Sequence, residues 1–134
     1  MRFTRHCAAL LLAVTVAACD TIPTYWPLVP AAVPDPRVVT DSVDGAAVDL
    51  ARTQMISIRL PADSQSDNRW TYELGQDPVL YPADLTPRFE DAQTQVFTFR
   101  AERPGTTSVR FTYHDPAQPQ TPPVKTVAFE VVAR

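Results

Sequence analysis

Thr94 to Tyr113, TQVFTFRAERPGTTSVRFTY, constrains this 134-residue chain more than any other segment. Phe97, Phe99 and Ala101 alternate with polar or charged neighbours, and Val109, Phe111 and Tyr113 do so again beyond Pro104-Gly105. Alternation with period two is what a strand with one buried face requires, because successive side chains point to opposite faces of a sheet. Proline presets φ for a turn and glycine accepts positive φ. The segment therefore predicts two amphipathic strands paired as an antiparallel hairpin through Pro104-Gly105.

The same short, punctuated pattern recurs along the chain. Val38–Thr40 and Val48–Leu50 flank Asp44-Gly45, a strong hairpin-turn dipeptide. Gln54 to Leu60 alternates with Ile56, Ile58 and Leu60 on one face, and Trp70, Tyr72 and Leu74 alternate with Thr71 and Glu73. Thr126 to Val132 places Val127, Phe129 and Val131 inward. Beyond residue 18 no window carries a long apolar period of 3.6 residues, which excludes a helical fold. About seven short strands over residues 37–134 predict one all-β domain, an antiparallel β-sandwich. Trp70, at the start of an inner strand, is expected to pin its core.

Residues 1–18 read as an address. Arg2 and Arg5 form a basic start, Ala8 to Val16 a short apolar run, and Val16-Ala17-Ala18-Cys19 a small-residue exit. This is the pattern of a secretory signal peptide, too short to span a membrane. The Cys after Val-Ala-Ala looks like a bacterial lipobox, which implies lipidation of Cys19 as the first residue of the mature protein. The alternative is ordinary cleavage near Ala18, leaving Cys19 as a free thiol. Cys7 leaves with the signal, so the folded part has no thiol for a disulfide, a nucleophile or a zinc site. The expected location is the bacterial cell envelope, with Asp20 favouring the periplasmic side of the inner membrane and the outer membrane as the alternative.

Residues 19–36 are expected to form a lipid anchor and tether. Pro23, Pro27, Pro30, Pro34 and Pro36 exclude helix and central strand there and favour extended polyproline-like chain, spanning up to roughly 50 Å. Tyr25-Trp26 within it reads as a pair that dips into lipid headgroups or brushes the domain. Removing Arg2 and Arg5 leaves ten basic against fifteen acidic residues, a net charge near −5. Such a balance argues against nucleic acid or an anionic membrane surface as a partner.

These residues, with their spacings, resemble the chagasin family of cysteine-protease inhibitors. Asp44-Gly45 is followed by Val48, Leu50, Ile56, Ile58 and Leu60-Pro61, then by Trp70 in the family's Leu-Pro…Trp pattern. Gln95-Val96-Phe97-Thr98-Phe99-Arg100-Ala101 and Pro104-Gly105-Thr106-Thr107…Tyr113 match its later strands. The resemblance covers about Val43 to Val132. It implies an immunoglobulin-like sandwich with three loops at one end that fill the cleft of a papain-like cysteine peptidase without offering a scissile bond.

The resemblance also implies what those loops should contain, and this chain departs from it in all three. Asp63-Ser64-Gln65-Ser66-Asp67 stands where the family has Asn-Pro-Thr-Thr-Gly. Glu90-Asp91-Ala92-Gln93 stands for Gly-x-Gly-Gly. After Tyr113-His114, Asp115-Pro116-Ala117 stands for Arg-Pro-Trp and keeps only the proline. The family glycine before Gln54 is here Thr53. Asp63, Asp67, Glu90, Asp91 and Asp115 are expected to collect at one end, partly compensated by Arg69 and Arg88, as a solvated rim or as an acidic face for a basic partner. The calcium-loop spacing and its glycine are absent.

No catalytic motif is present. The one mature histidine, His114, sits beside Asp115 on an expected loop, and there is no nucleophile elbow, phosphate loop or dinucleotide fingerprint. Cofactors and metals are expected to be none, the protein to be a non-enzyme, and the domain to act as a monomer. Two functions remain at this stage. One is a divergent inhibitor of papain-like peptidases. The other is a non-inhibitory binding or assembly module using the same loops on another envelope protein.

Overall fold

In the computed structural model, residues 32–76 and 78–134 are described. The signal peptide at 1–18, lipidation at Cys19 and the Tyr25-Trp26 pair lie outside the described residues. The strands are β1 (Arg37–Thr40), β2 (Ala47–Leu50), β3 (Met55–Pro61), β4 (Arg69–Leu74), β5 (Leu80–Pro82), β6 (Arg88–Asp91), β7 (Thr94–Ala101), β8 (Gly105–His114) and β9 (Lys125–Ala133). One sheet has the order β1-β3-β7-β5, with β6 also on β7, and the other has β2-β9-β8-β4. Among the described residues the sandwich thus has nine strands, the additional ones being short pieces such as β5 and β6 against β7. Two pairings at its margins, β1 with β3 and β2 with β9, are parallel.

The alternating residues make the core. Ile56, Ile58 and Leu60 of β3 and Phe97, Phe99 and Ala101 of β7 face Val109 and Phe111 of β8 and Val127, Phe129 and Val131 of β9. Phe97 and Phe111 meet across the layers edge to face, with centroids 4.9 Å apart. Tyr72 meets Phe99 at 4.9 Å and 89°. Trp70 is 2% exposed, as a core pin should be.

The two expected hairpins are not there. β7 and β8 do not pair with each other; they lie in opposite sheets, and Glu102–Pro104 carries the chain across the sandwich. Alternation states only that each strand has one buried face. Two such strands bury those faces equally well by lying opposite one another, and here the phenylalanines of β7 need an apolar layer that β8 supplies. Gly105 makes the crossing possible. Its φ is +139°, and a Cβ there would stand 3.0 Å from Val79 Cγ1.

Asp44-Gly45 likewise crosses between sheets. Val39 of β1 registers with Ile58 and Val48 of β2 with Val131, so the flanking strands belong to different layers. The dipeptide docks on β9 instead. Gly45 N–H donates to the Ala128 carbonyl at 2.7 Å, and the Asp44 carboxylate accepts from Ala128 N–H at 2.8 Å.

Candidate functional site

The three loops singled out by sequence meet at one end of the sandwich. Asp63, Ser64, Gln65, Ser66 and Asp67 lie in the β3–β4 connection. Glu90 and Asp91 close β6, and Ala92 and Gln93 turn the chain into β7. His114 ends β8, with Asp115 and Pro116 opening the long connection to β9. Register explains the convergence. Pro61 pairs with Thr94, and Arg69 pairs with His114, so the loops leave neighbouring strand ends.

The first and second loops are joined through main chain. Ala62 N–H donates to the Gln93 carbonyl and Ser64 N–H to the Ala92 carbonyl, each at 2.9 Å. The Tyr113 hydroxyl accepts from Asp63 N–H at 3.3 Å, tying the first loop to β8. Tyr113 also fixes the far end of the third loop, its carbonyl accepting from Val124 N–H at 2.8 Å. A groove between the first and third loops is lined by Ser66, Asp67, Asn68, His114, Asp115 and Gln118, among others. A second lies between the first two loops and Tyr113.

The aspartates open the turns. Asp63 Oδ1 accepts from Gln65 N–H at 2.9 Å, Asp91 Oδ1 from Gln93 N–H at 2.7 Å, and Asp115 Oδ1 from Ala117 N–H at 2.9 Å. Each is the Asx turn that this short side chain favours, where it accepts from the backbone two residues on. The expected acidic rim is therefore first a set of turn formers. Glu90 is drawn elsewhere, pairing with Arg59 at 3.0 Å across the outer face of β7. Asp67 stands exposed. Among the described residues no three His, Cys, Asp or Glu side chains form a group that could hold a metal ion.

Arg69 compensates the acidic loops without forming an ion pair among the described residues. Its guanidinium lies 5.3 Å from the centroid of Phe89 and donates to the carbonyls of Ser66, Asn68 (2.7 Å) and Ser64 (3.4 Å). It staples the first loop from beneath. His114 Nε2 is within 3.1 Å of Thr71 Oγ1, a contact on β4 that draws the ring toward the sheet.

One positioning residue was not anticipated. Gln95, 4% exposed, sits on β7, yet its amide accepts from Trp70 N–H at 2.9 Å and donates to the Trp70 carbonyl at 3.1 Å. β4 is the outer strand of its sheet, so these backbone groups have no neighbouring strand to pair with. Trp70 Nε1 in turn donates to the Pro61 carbonyl at 2.8 Å. Gln95 and Trp70 thus lock the sheets together directly beneath the loops. A glutamine in a strand whose other inward positions are Phe97, Phe99 and Ala101 was the signal.

Comparison with solved structures gives the same architecture. The crystal structure of the cysteine protease inhibitor EhICP2 from Entamoeba histolytica aligns with a TM-score of 0.65 at 20% identity, covering 75% of this chain and 96% of that one. The solution structure of amebosin aligns with a TM-score of 0.52 at 11% identity, covering 75% and 99%. At these identities the likeness establishes the fold. No curated protein matches the sequence. The family model described as Chagasin family peptidase inhibitor I42 matches residues 49–131, well over half the chain. With its strand framework, buried Trp70 and converged loops in place, the chain belongs to the chagasin family of peptidase inhibitors, which are not enzymes.

Proposed function

We propose that this protein is a divergent inhibitor of papain-like cysteine peptidases, acting from the bacterial envelope through the loops at 62–69, 89–93 and 114–118. The observation that carries this reading is the bracing of those loops into one surface by Ala62, Ser64 and Tyr113. Preorganised loops lose little conformational freedom on binding, which favours affinity. A papain-like peptidase cleaves an extended strand laid along its cleft. The Asx turns at Asp63, Asp91 and Asp115 bend the backbone away from that conformation, so the loops obstruct the cleft without becoming substrate. Lipidation of Cys19, with residues 19–36 as tether, would hold the domain at the membrane.

A second reading keeps the scaffold and loops but makes the partner another envelope protein. It is favoured by the loop tips, where Ala117 is exposed at the position of the family tryptophan and Asp67 presents a charge. Titrating the detergent-purified full-length protein against an active-site-quantified papain-like peptidase separates the two. Sub-micromolar inhibition competitive with substrate supports the inhibitor. Folded protein that leaves the peptidase fully active at about 100 µM supports the second reading, since that limit corresponds to less than about 5.5 kcal/mol of binding.

A further inference from the structure

The chain enters the sandwich at the end remote from the loops. β1 starts at Arg37, opposite Ile56 near the beginning of β3, and runs parallel to β3 toward Pro61, where the first loop begins. Gln54 Nε2 donates to the Asp35 carbonyl at 2.7 Å, fastening the incoming segment to the β2–β3 turn. Arg134 lies at this base too, since Arg52 N–H donates to its carbonyl at 2.9 Å. β8 runs the full height between base and loops, ten residues from Gly105 to His114, or about 30 Å.

The net negative charge argues against an anionic surface for the domain as a whole, but that charge is unevenly divided between the two ends. Arg37, Arg52 and Arg100 are exposed around the base and form no ion pair among the described residues, while Asp49 there is engaged by Arg134 at 3.0 Å. Among the described residues Asp35 and Glu102 only partly offset them. At the opposite end Asp63, Asp67, Asp91 and Asp115 project with the loops and outnumber Arg69 and Arg88 there. A stalk as long as residues 19–36 does not by itself fix which end meets the bilayer. An anionic headgroup layer does so, attracting the arginines and repelling the aspartates within a Debye length of about 8–10 Å.

We infer that the sandwich stands on an anionic phospholipid surface by its arginine-bearing base and turns the three loops away from the lipid. The partner is then a peptidase that arrives from the aqueous side, not one embedded in the bilayer beside the anchor. The inference rests on the Cys19 anchoring proposed above, and it deepens the inhibitor reading by naming the side of approach.

The test uses the full-length acylated protein reconstituted into vesicles of phosphatidylethanolamine and phosphatidylglycerol. A donor dye is placed either at the base by Ala51→Cys or in the third loop by Gln118→Cys, and energy transfer to an acceptor in the bilayer surface reports height. Strong transfer from position 51 and weak transfer from 118, for a height difference of about 20–30 Å, is the expected result. Equal transfer, or stronger transfer from 118, overturns the orientation, as does an unacylated Cys19 by mass spectrometry. The readout does not depend on inhibition, so a failure of the inhibitor reading would show separately, as an active peptidase in detergent.

Discussion

Thr53 carries a conformational cost visible in one angle. Its φ is +67°, a left-handed conformation in which a β-branched side chain crowds its own backbone. The position is held because Thr53 N–H donates to the Ala101 carbonyl at 2.8 Å, and because Gln54 exchanges further bonds with Ala51 and Ala101. The sequence flagged this site through the glycine that the family resemblance expects there, and the geometry supplies the reason. Thr53→Gly should stabilise the domain by about 1 kcal/mol, raising Tm by roughly 4–8 °C in a thermal melt. An unchanged or lower Tm would show that Thr53 is not strained. Gln95 is the opposite case, a polar residue where period-two logic expects an apolar one, and its bonds to Trp70 explain the exception. Gln95→Leu keeps the volume but strands the Trp70 N–H and carbonyl, and should cost about 2–4 kcal/mol by denaturant unfolding. A cost under about 1 kcal/mol would mean that the edge of β4 is satisfied without it.

At the scale of elements, strand existence was largely legible and strand pairing was not. The apolar residues of β3, β7, β8 and β9 fall inward as their alternation predicts, and Trp70 is buried where a core pin belongs. Alternation contains no information on which buried face meets which, so β7 and β8 read equally well as a hairpin or as opposed layers. β5 and β6 escaped notice because three or four residues are too few to display a period and, unlike β1 and β2, they flank no strong turn dipeptide. The loops show a parallel ambiguity. An aspartate on a loop reads as surface charge, yet Asp91 holds Gln93 N–H at 2.7 Å and lies 3.3 Å from Thr94 Oγ1. Substitution separates the roles. Asp91→Asn keeps the accepting oxygen and should stay within about 0.5 kcal/mol of the parent, whereas Asp91→Ala should lose about 1 kcal/mol and loosen the second loop. Thermal melts of the two variants decide this. If Asn and Ala cost the same, it is the negative charge and not the turn that matters.

For the molecule as a whole, framework and working surface come from different parts of the sequence. The core residues and their spacings specify the sandwich and, through strand register, bring the three loops together whatever the loops contain. The loop residues then determine what that end can grip, and here they build stiff turns with little apolar contact area. Ala117 shows the consequence most directly. It is exposed, it follows Pro116 as the family tryptophan would, and its N–H is already fixed by Asp115 at 2.9 Å. A larger side chain at 117 would therefore project from a braced backbone into solvent without disturbing the core. Aromatic anchors supply much of the energy at protein interfaces, about 2 kcal/mol or more when fully engaged. If the third loop enters a papain-like cleft, Ala117→Trp should lower the inhibition constant at least about tenfold, mostly through slower dissociation, with Tm unchanged. The control is the same substitution at Pro119, exposed on the same connection two residues beyond. Equal gains at 117 and 119 would indicate indiscriminate stickiness. No gain at 117, in a protein that still inhibits, would remove the third loop from the contact and leave inhibition to the first two.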